Sequence, residues 1–277
     1  MSVFTILGAN GFIGSALVAH LRGHGRTVNA VTRDMLPELL ADGGPVGHVI
    51  DCIGLTAEFR QFPLATAEAH VGVTARCLEA LAFDSFLYLS TTRVYARASH
   101  GREDALLPVN PSVMGDLYNA TKLAGEALCL SDRRGTVRVA RLSNVYGPRM
   151  GAKNFLGQVL EEGARTGAVT LHQSMLSAKD YVSIADVVPA LVGIAERGES
   201  RIYNVASGVN TTHDALVCLL SGRLFWRIIA DDNAVATRFP RIDVTRLGAE
   251  FGAPSGRVLD DLPGLAQALA AGQEVGC

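Results

Sequence analysis

Short apolar runs and longer amphipathic stretches alternate along the first half of the chain. The apolar runs are too short for helices, and the first is followed at once by glycines, which is typical of buried strands in a parallel sheet. The strands predicted in this half are residues 3–7, 28–32, 46–53, 86–90 and 137–142. The helices predicted between them include residues 12–21, 65–83 and 117–130. This alternation predicts βαβ units and an α/β fold with a doubly wound parallel sheet.

The alternation loosens after Pro148. The elements predicted beyond it are helices at 155–166, 184–196, 212–220 and 259–271 and a strand at 201–205. They indicate a smaller mixed α/β lobe at the C-terminus, with the first unit spanning residues 1–150 and the lobe mainly 151–277. We expect residues 180–206 to pack back onto the first unit. The cleft between the two is the expected ligand site.

Composition argues against several classes of partner. The chain has 277 residues, of which 48% are hydrophobic and 19% charged, and its formal net charge is −2. Because no basic surplus is present, we expect neither nucleic acid nor anionic lipid as a partner. No apolar span reaches the roughly 18 residues of a membrane helix, the N-terminus has no cationic leader, and the five cysteines are scattered. These features predict a cytoplasmic protein without membrane contact.

A glycine-rich loop follows the first predicted strand and opens the first predicted helix. Gly8, Gly11 and Gly14 form the pattern GxxGxxG. Glycines at this place allow a tight turn and close approach of the backbone to a phosphate, and the helix start presents free N–H groups to the anion. The loop therefore predicts a dinucleotide site.

The end of the second predicted strand bears on which dinucleotide binds. An arginine there pairs with the 2′-phosphate of NADP, whereas an acidic residue accepts a hydrogen bond from the 2′-hydroxyl of NAD. The strand ends Thr32-Arg33-Asp34. Arg33 favours NADP(H), and Asp34 keeps NAD(H) as the alternative.

Tyr118 and Lys122 are four residues apart and so share one face of a helix. A neighbouring ammonium group, together with the positive nicotinamide of an oxidised cofactor, would lower the pKa of the tyrosine toward neutrality and make it an acid/base. Thr91 ends a predicted strand, at the edge where α/β sheets bind ligands. We expect these three side chains to form the catalytic group.

Six motifs resemble those of the extended short-chain dehydrogenase/reductases, the NAD-dependent epimerase/dehydratase group that acts largely on nucleotide sugars. In chain order they are GANGFIG (8–14), STTRVY (90–95), YNATK (118–122), RLSNVYGP (141–148), KDYVSIADV (179–187) and YNVASG (203–208). The resemblance covers nearly the whole chain. It implies a Rossmann-type fold, a dinucleotide-binding unit at 1–150 and a mainly substrate-binding lobe at 151–277.

The resemblance also implies roles for individual residues. Tyr118 is the expected acid/base, Lys122 holds the nicotinamide ribose, and Thr91 hydrogen-bonds the reacting oxygen. The cofactor contacts implied beside Tyr118 and Lys122 are Gly8, Asn10, Gly11, Phe12, Ile13, Gly14, Thr32, Arg33 and Gly54. The substrate contacts implied are Thr92, Arg93, Asn144 and Lys179, of which Lys179 replaces an arginine that usually pairs with a diphosphate.

Two departures from the family pattern narrow the expected reaction. The sugar 4,6-dehydratases have Asp-Glu after the catalytic threonine, and the GDP-fucose synthase type has a cysteine at the second of these positions. Here the residues are Thr92 and Arg93, so we expect neither dehydration of that type nor 3,5-epimerisation. Two activities remain as alternatives, that of a 4-ketoreductase using NADPH and that of a 4-epimerase using NAD. The short segment between Thr32 and Val46 favours the reductase.

Other expectations concern the remaining departures and the assembly. Asp51-Cys52-Ile53 and His70 differ from the family pattern and are interpreted mainly as packing changes. A non-catalytic cofactor sensor on the same fold is a weaker alternative, because such proteins tend to lose the tyrosine or the lysine. We expect no metal, since no cluster has metal-ligand spacing, and a homodimer formed through helices 65–83 and 117–130.

Overall fold

The apolar runs of the first half pair into one parallel sheet. A computed structural model describes residues 2–56, 58–151, 154–230 and 234–270. Its strands are β1 (Val3–Leu7), β2 (Thr27–Val31), β3 (Pro45–Asp51), β4 (Ala82–Thr91), β5 (Val137–Leu142), β6 (Asn144–Tyr146), β7 (Ala168–Leu171), β8 (Ala178–Ser183), β9 (Ile202–Val205), β10 (Asn210–Thr212) and β11 (Arg227–Ala230). The main sheet has the order β2-β1-β3-β4-β5-β9, and all its pairings are parallel.

Helices cover both faces of this sheet. The helices are α1 (Phe12–Gly23), α2 (Leu36–Asp42), α3 (Pro63–Ala67), α4 (Val73–Ala80), α5 (Asp116–Ser131), α6 (Phe155–Thr166), α7 (Ile184–Arg197), α8 (His213–Leu224), α9 (Thr245–Phe251) and α10 (Val258–Ala270). The apolar faces of α1 and α7 meet one side of the sheet, where Leu17 and Leu191 are buried. On the other side Cys77 of α4 and Cys129 of α5 are buried. The predicted doubly wound α/β fold is confirmed.

The second half adds a smaller mixed lobe with its own core. Strands β10, β8 and β6 form one sheet, and β11 pairs with β7 in another. Leu160 of α6, Leu220 of α8 and Leu262 of α10 are buried together with Val169 of β7. The smaller α/β lobe expected at the C-terminus is therefore confirmed.

The observed elements differ from the predicted ones mainly at their ends. The predicted helix 65–83 is a continuous run of α3, a π-helical turn at Glu68–Gly72 and α4, and it ends at Ala80 because β4 already starts at Ala82. The strand predicted at 86–90 is correspondingly longer. Hydrophobic periodicity overran this junction because Leu81 and Phe83 continue the apolar pattern of the helix into the strand.

A buried ion pair ties α5 to the main sheet. Arg141 of β5 lies 2.7 Å from Glu126 of α5, and both side chains are about 4% exposed or less. Ser90 of β4 donates to the same carboxylate, and Arg141 also donates to the Tyr95 hydroxyl at 2.7 Å. Because both charges are paired and hydrogen-bonded, burial is tolerated here, and the helix keeps one position on the strand ends.

Removing one partner of this pair should destabilise the protein strongly. We expect Glu126→Ala to lower the free energy of unfolding by about 3–5 kcal/mol, because Arg141 would keep a buried charge without its carboxylate. Urea denaturation followed by circular dichroism measures this. The matched control is Asp104→Ala, which breaks the exposed Arg102–Asp104 pair and should cost less than about 1 kcal/mol. Equal losses in the two variants would contradict the assignment.

Candidate functional site

The glycine loop joins β1 to α1 in a turn that side chains would obstruct. Gly8 has φ +76°, and a Cβ at Gly14 would lie 2.3 Å from the Gly8 carbonyl oxygen. The cap residue of α1 is Gly11, which has no side chain to cap the helix, so the first N–H groups of α1 are left for a ligand. Asn10 and Gly11 are exposed, and Phe12 and Ile13 are half-buried. This cradle fits the phosphates of a dinucleotide.

The end of β2 is fixed against this loop. The Val31 carbonyl oxygen accepts hydrogen bonds from the N–H groups of Gly8 at 3.0 Å and Ala9 at 3.2 Å. Thr32, which follows, is half-buried, and Arg33 and Asp34 are exposed. The structure thus places Thr32 and Arg33 directly after the strand end that the glycine loop contacts, and their contact with a ribose stays a prediction.

Tyr118 and Thr91 meet where β4 ends. Thr91 is the last residue of β4, and its side chain accepts a hydrogen bond from the Arg93 N–H at 3.1 Å. Burial raises the pKa of Tyr118 to about 12, and the charge of Arg93 and a hydrogen bond with Thr91 oppose that rise. The structure therefore adds the Arg93 guanidinium as a positive charge that favours the phenolate, and the lowering of this pKa toward neutrality by Lys122 together with an oxidised nicotinamide stays a prediction.

Lys122 lies one turn further along α5 and points under the strand ends. Its Nζ donates to the Leu89 carbonyl oxygen at 2.8 Å and lies 4.8 Å from the centre of the Tyr88 ring. A Cβ on Gly54 would lie 3.5 Å from Nζ. Burial lowers the pKa of Lys122 to about 8, although the carboxylates of Asp51 and Glu126 favour its charged form.

Two buried side chains that were interpreted as packing changes support this group. His70 accepts a hydrogen bond from the Leu55 N–H at Nε2, and its Nδ1 lies 2.9 Å from the Thr121 hydroxyl. The accepting Nε2 fixes the tautomer, so Nδ1 carries the proton. Burial lowers the pKa of His70 to about 3, which keeps the ring neutral. His70 therefore holds the catalytic turn of α5, since Thr121 in turn donates to the Tyr118 carbonyl oxygen.

Asp51 is the second of these buried groups. Its carboxylate accepts from the Ile53 N–H at 3.0 Å and the Thr74 hydroxyl at 3.2 Å. Burial raises its pKa to about 6, and the positive charge of Lys122 opposes the rise. Asp51 thus supplies negative charge below Lys122. The sequence signal for both residues was their departure from the family pattern, without any sign of what they contact.

Arg93 and a loop after β3 cover Tyr118 from the other side. The ring of Phe59 is buried 5.4 Å from that of Tyr118, centre to centre. Arg93 lies over both rings, and Arg60 lies 4.4 Å from the Phe59 centre. Thr92 is buried in the turn between. Phe59 and Arg60 were not predicted, since a loop without periodicity gives no signal for such contacts.

Asn144 and Lys179 lie on the neighbouring strands β6 and β8 of the smaller lobe. Asn144 donates to the Asp180 carbonyl oxygen at 2.8 Å. Lys179 Nζ lies 3.2 Å from the Gln173 side-chain oxygen and 4.8 Å from the Phe155 ring centre. Burial and the charge of Arg93 lower the pKa of Lys179 to about 8. The charge of Arg93, just after β4, thus acts on Lys179 of β8, whereas Asn144 of β6 is bonded to the backbone of β8.

The expected catalytic residues therefore form one group. The glycine loop contacts the segment after β3, since a Cβ on Gly8 would lie 3.2 Å from the backbone of Cys52. At the other end of that segment, Gly54 lies next to Lys122, which shares α5 with Tyr118. Such a group can bind a dinucleotide and exchange a proton at the Tyr118 hydroxyl. In the part of the chain that the structure describes, no cluster of three or more His, Cys, Asp or Glu side chains could hold a metal, and no helix could span a membrane.

Comparisons with known proteins agree with this geometry. A family model described as the NAD dependent epimerase/dehydratase family matches residues 4–206. A dTDP-glucose 4,6-dehydratase from Streptomyces griseus is 28% identical over 306 residues, covering 93% of this chain and 90% of the relative.

Solved structures share the whole fold. TunA, an NAD dependent NDP-hexosamine 5,6-dehydratase involved in tunicamycin biosynthesis, superposes with a TM-score of 0.85 at 19% identity, covering 99% of both chains. MoeE5 in complex with UDP-glucose and NAD superposes with a TM-score of 0.81 at 22% identity, covering 97% of this chain and 99% of MoeE5. At these identities the likeness establishes the fold and leaves the reaction open.

The charge of Lys122 should depend on Asp51. We expect Asp51→Asn to lower the pKa of Lys122 below its wild-type value of about 8, because the removed carboxylate favours the ammonium form. The chain has three lysines, so NMR of protein with 13C-labelled lysine side chains can follow the titration, with Lys122→Arg assigning the signal. Lys179 is the internal control and should titrate unchanged. A Lys122 pKa that stays the same or rises would show that Asp51 does not act on it.

Proposed function

Because the chain belongs to the NAD dependent epimerase/dehydratase family, we propose that it is an NAD(P)-dependent oxidoreductase that reduces the keto group of a nucleotide-linked sugar. The observation that carries the proposal is the placement of the Thr91 hydroxyl and the Arg93 guanidinium at Tyr118, one helical turn from Lys122, with no carboxylic acid at positions 92 and 93. A nucleotide-linked substrate is supported by the relatives, whose names specify dTDP-glucose and UDP-glucose.

The cofactor would be held by the glycine loop, by Thr32 and Arg33, and by Gly54 and Lys122 near the reacting end. When bound, a reduced nicotinamide supplies the hydride. The substrate would lie between this unit, residues 1–150 with 180–206, and the lobe of residues 151–277, where Asn144 and Lys179 are the proposed contacts. Arg33 supports NADPH, whereas the NAD in the names of the family and of the similar structures supports NAD.

Tyr118 is suited to give a proton to the oxygen of a keto group. With its pKa raised to about 12, the phenol keeps its proton at neutral pH. The positive charge of Arg93 and the hydrogen bond of Thr91 favour the phenolate that remains after transfer. Thr91 can also hold the reacting oxygen, since its hydroxyl lies at the end of β4. One proton from Tyr118 and one hydride complete the reduction of a carbonyl to an alcohol.

Reduction fits the site better than loss of water, which needs a second acid and base. Positions 92 and 93 offer a buried hydroxyl and a guanidinium. The carboxylate of Asp116, at the start of α5, is bound by Arg97, the Asn110 N–H and Asn119. Because these partners hold the Asp116 carboxylate, it does not take the place of the acid that is missing at positions 92 and 93.

A 4-epimerase is the second candidate. Its supporting observations are Asp34 beside Arg33 and the complex of the similar protein MoeE5 with UDP-glucose and NAD. The same Tyr118 would then remove and return one proton. In either case we expect a cytoplasmic homodimer whose subunits meet through the helices at 65–83 and 117–130, and sedimentation of the purified protein measures its mass.

Removing the Tyr118 hydroxyl should remove turnover without removing cofactor binding. We expect Tyr118→Phe to lower kcat about 10²- to 10⁴-fold, measured by NADPH absorbance with a panel of nucleotide-linked 4-keto sugars. Thr91→Ser keeps the hydroxyl and should stay active, while Thr91→Val should not. Unchanged turnover in Tyr118→Phe would exclude the assigned proton donor and favour a non-catalytic cofactor sensor.

The same panel separates the two candidates. Oxidation of NADPH by a keto-sugar supports the reductase. If no keto-sugar oxidises NADPH while epimers interconvert without added cofactor and NAD co-purifies with the protein, the epimerase replaces it. Absence of both activities would overturn the proposed function.

A further inference from the structure

Two guanidinium groups converge beside Tyr118. Arg60 and Arg93 share the buried ring of Phe59, at 4.4 and 5.3 Å from its centre, and Arg93 lies 5.6 Å from the centre of the Tyr118 ring. Both also face one point next to Gly115: a Cβ there would lie 3.4 Å from Nη2 of Arg93 and 3.8 Å from Nη2 of Arg60. The two positive charges are thus held together at the proposed proton donor.

Neither group forms an ion pair among the described residues, and the carboxylate whose charge acts on Arg93, that of Asp116, is itself paired with Arg97. The ion pairs formed there leave out both arginines. Arg93 donates to the Gly115 carbonyl oxygen at 3.3 Å, which carries no net charge. Burial and the charge of Arg60 lower the pKa of Arg93. Since like charges so placed repel each other, an anion bound between them would relieve the repulsion.

The position of the pair indicates which part of a substrate supplies this anion. Lys179, the residue expected to meet a diphosphate, comes from the smaller lobe and lies against Phe155. Arg60 and Arg93 come from loops of the main sheet and contact Phe59, whose ring packs on Tyr118. A group bound by them is therefore fixed relative to the proton donor, and so to the sugar that reacts there.

We propose that Arg60 and Arg93 bind a carboxylate on the reacting sugar, so that the substrate is a nucleotide-linked sugar acid. A guanidinium offers the planar pair of N–H groups that matches a carboxylate, and two of them offset its charge. This assignment rests on the proposed function, whose site it makes more specific. A nucleotide diphosphate presents similar anionic oxygens and is the competing source of the bound group.

Matched ligands separate the two sources. The probes are UDP-glucose and UDP-glucuronic acid, dTDP-glucose and dTDP-glucuronic acid, and GDP-mannose and GDP-mannuronic acid, each pair differing only at C6, with UDP, dTDP and GDP as diphosphates without sugar. Calorimetric titration into the protein saturated with NAD or NADPH gives the affinities. We expect the acid of at least one pair to bind about 10- to 100-fold more tightly than its neutral partner, as charged hydrogen bonds allow.

Variants test whether the arginines cause this preference. Arg93→Gln and Arg60→Gln should each reduce the preference at least several-fold and leave the affinity for the nucleoside diphosphate unchanged. Arg60 is exposed, so its variant should fold even if Arg93→Gln does not. Arg93→Lys keeps the charge without the planar N–H pair and should retain part of the preference. The control is Arg102→Gln, an exposed arginine paired with Asp104, which should retain all of it.

The remaining outcomes overturn the assignment in distinguishable ways. Equal affinity for both members of every pair that binds would reject the sugar acid while leaving a nucleotide-sugar enzyme. Equal weakening of the diphosphates and the acids in the two glutamine variants would assign the arginines to the diphosphate instead. If no nucleotide or nucleotide sugar binds, the proposed function itself fails.

Discussion

The buried pair of Arg141 and Glu126 is the interaction on which the site depends. It fixes α5 on the ends of β4 and β5, and the same helix carries Lys122 about one turn and Tyr118 about two turns before Glu126. The approach is close: a Cβ on Gly125 would lie 2.4 Å from the Tyr88 hydroxyl. A helix with buried charges has few alternative positions, because any shift would separate the charges in a medium that solvates them poorly.

Carboxylates balance the positive charge on only one side of Tyr118. Below it, the ammonium of Lys122 has the carboxylates of Asp51 and Glu126 nearby, which favour its charged form. On the other side, Arg60 and Arg93 face Gly115 and form no ion pair among the described residues, and the Asp116 carboxylate that acts on Arg93 is paired with Arg97. The protein itself thus supplies the carboxylates that balance the charge of Lys122. The charges of Arg60 and Arg93 are left for a ligand to balance, which is the arrangement expected of a recognition surface.

Sequence reasoning predicted the main sheet, its covering helices and the group of Tyr118, Lys122 and Thr91, because each depends on local periodicity or on a short motif. It missed the strands β6, β7, β8, β10 and β11. All of these except β8 have only three or four residues, which give too little periodicity. It also missed what His70 and Phe59 do. Their contacts, to Thr121 and Tyr118, lie 51 and 59 residues away in the chain, and only the packed fold brings such residues together.

A few side chains at the carboxyl ends of the strands therefore separate this chain from relatives with the same fold. The 28% identity with a dTDP-glucose 4,6-dehydratase spans nearly both chains, and such similarity preserves the sheet, the glycine loop and the position of α5. It leaves the reaction open, because positions 92 and 93 lie on a turn outside the sheet and can change without disturbing the core. A guanidinium at position 93 cannot act as an acid at neutral pH. Its positive charge favours the phenolate of Tyr118, and under our proposal the same charge binds the anion of the substrate, so that a single position would bear on both the proton donor and the kind of substrate admitted.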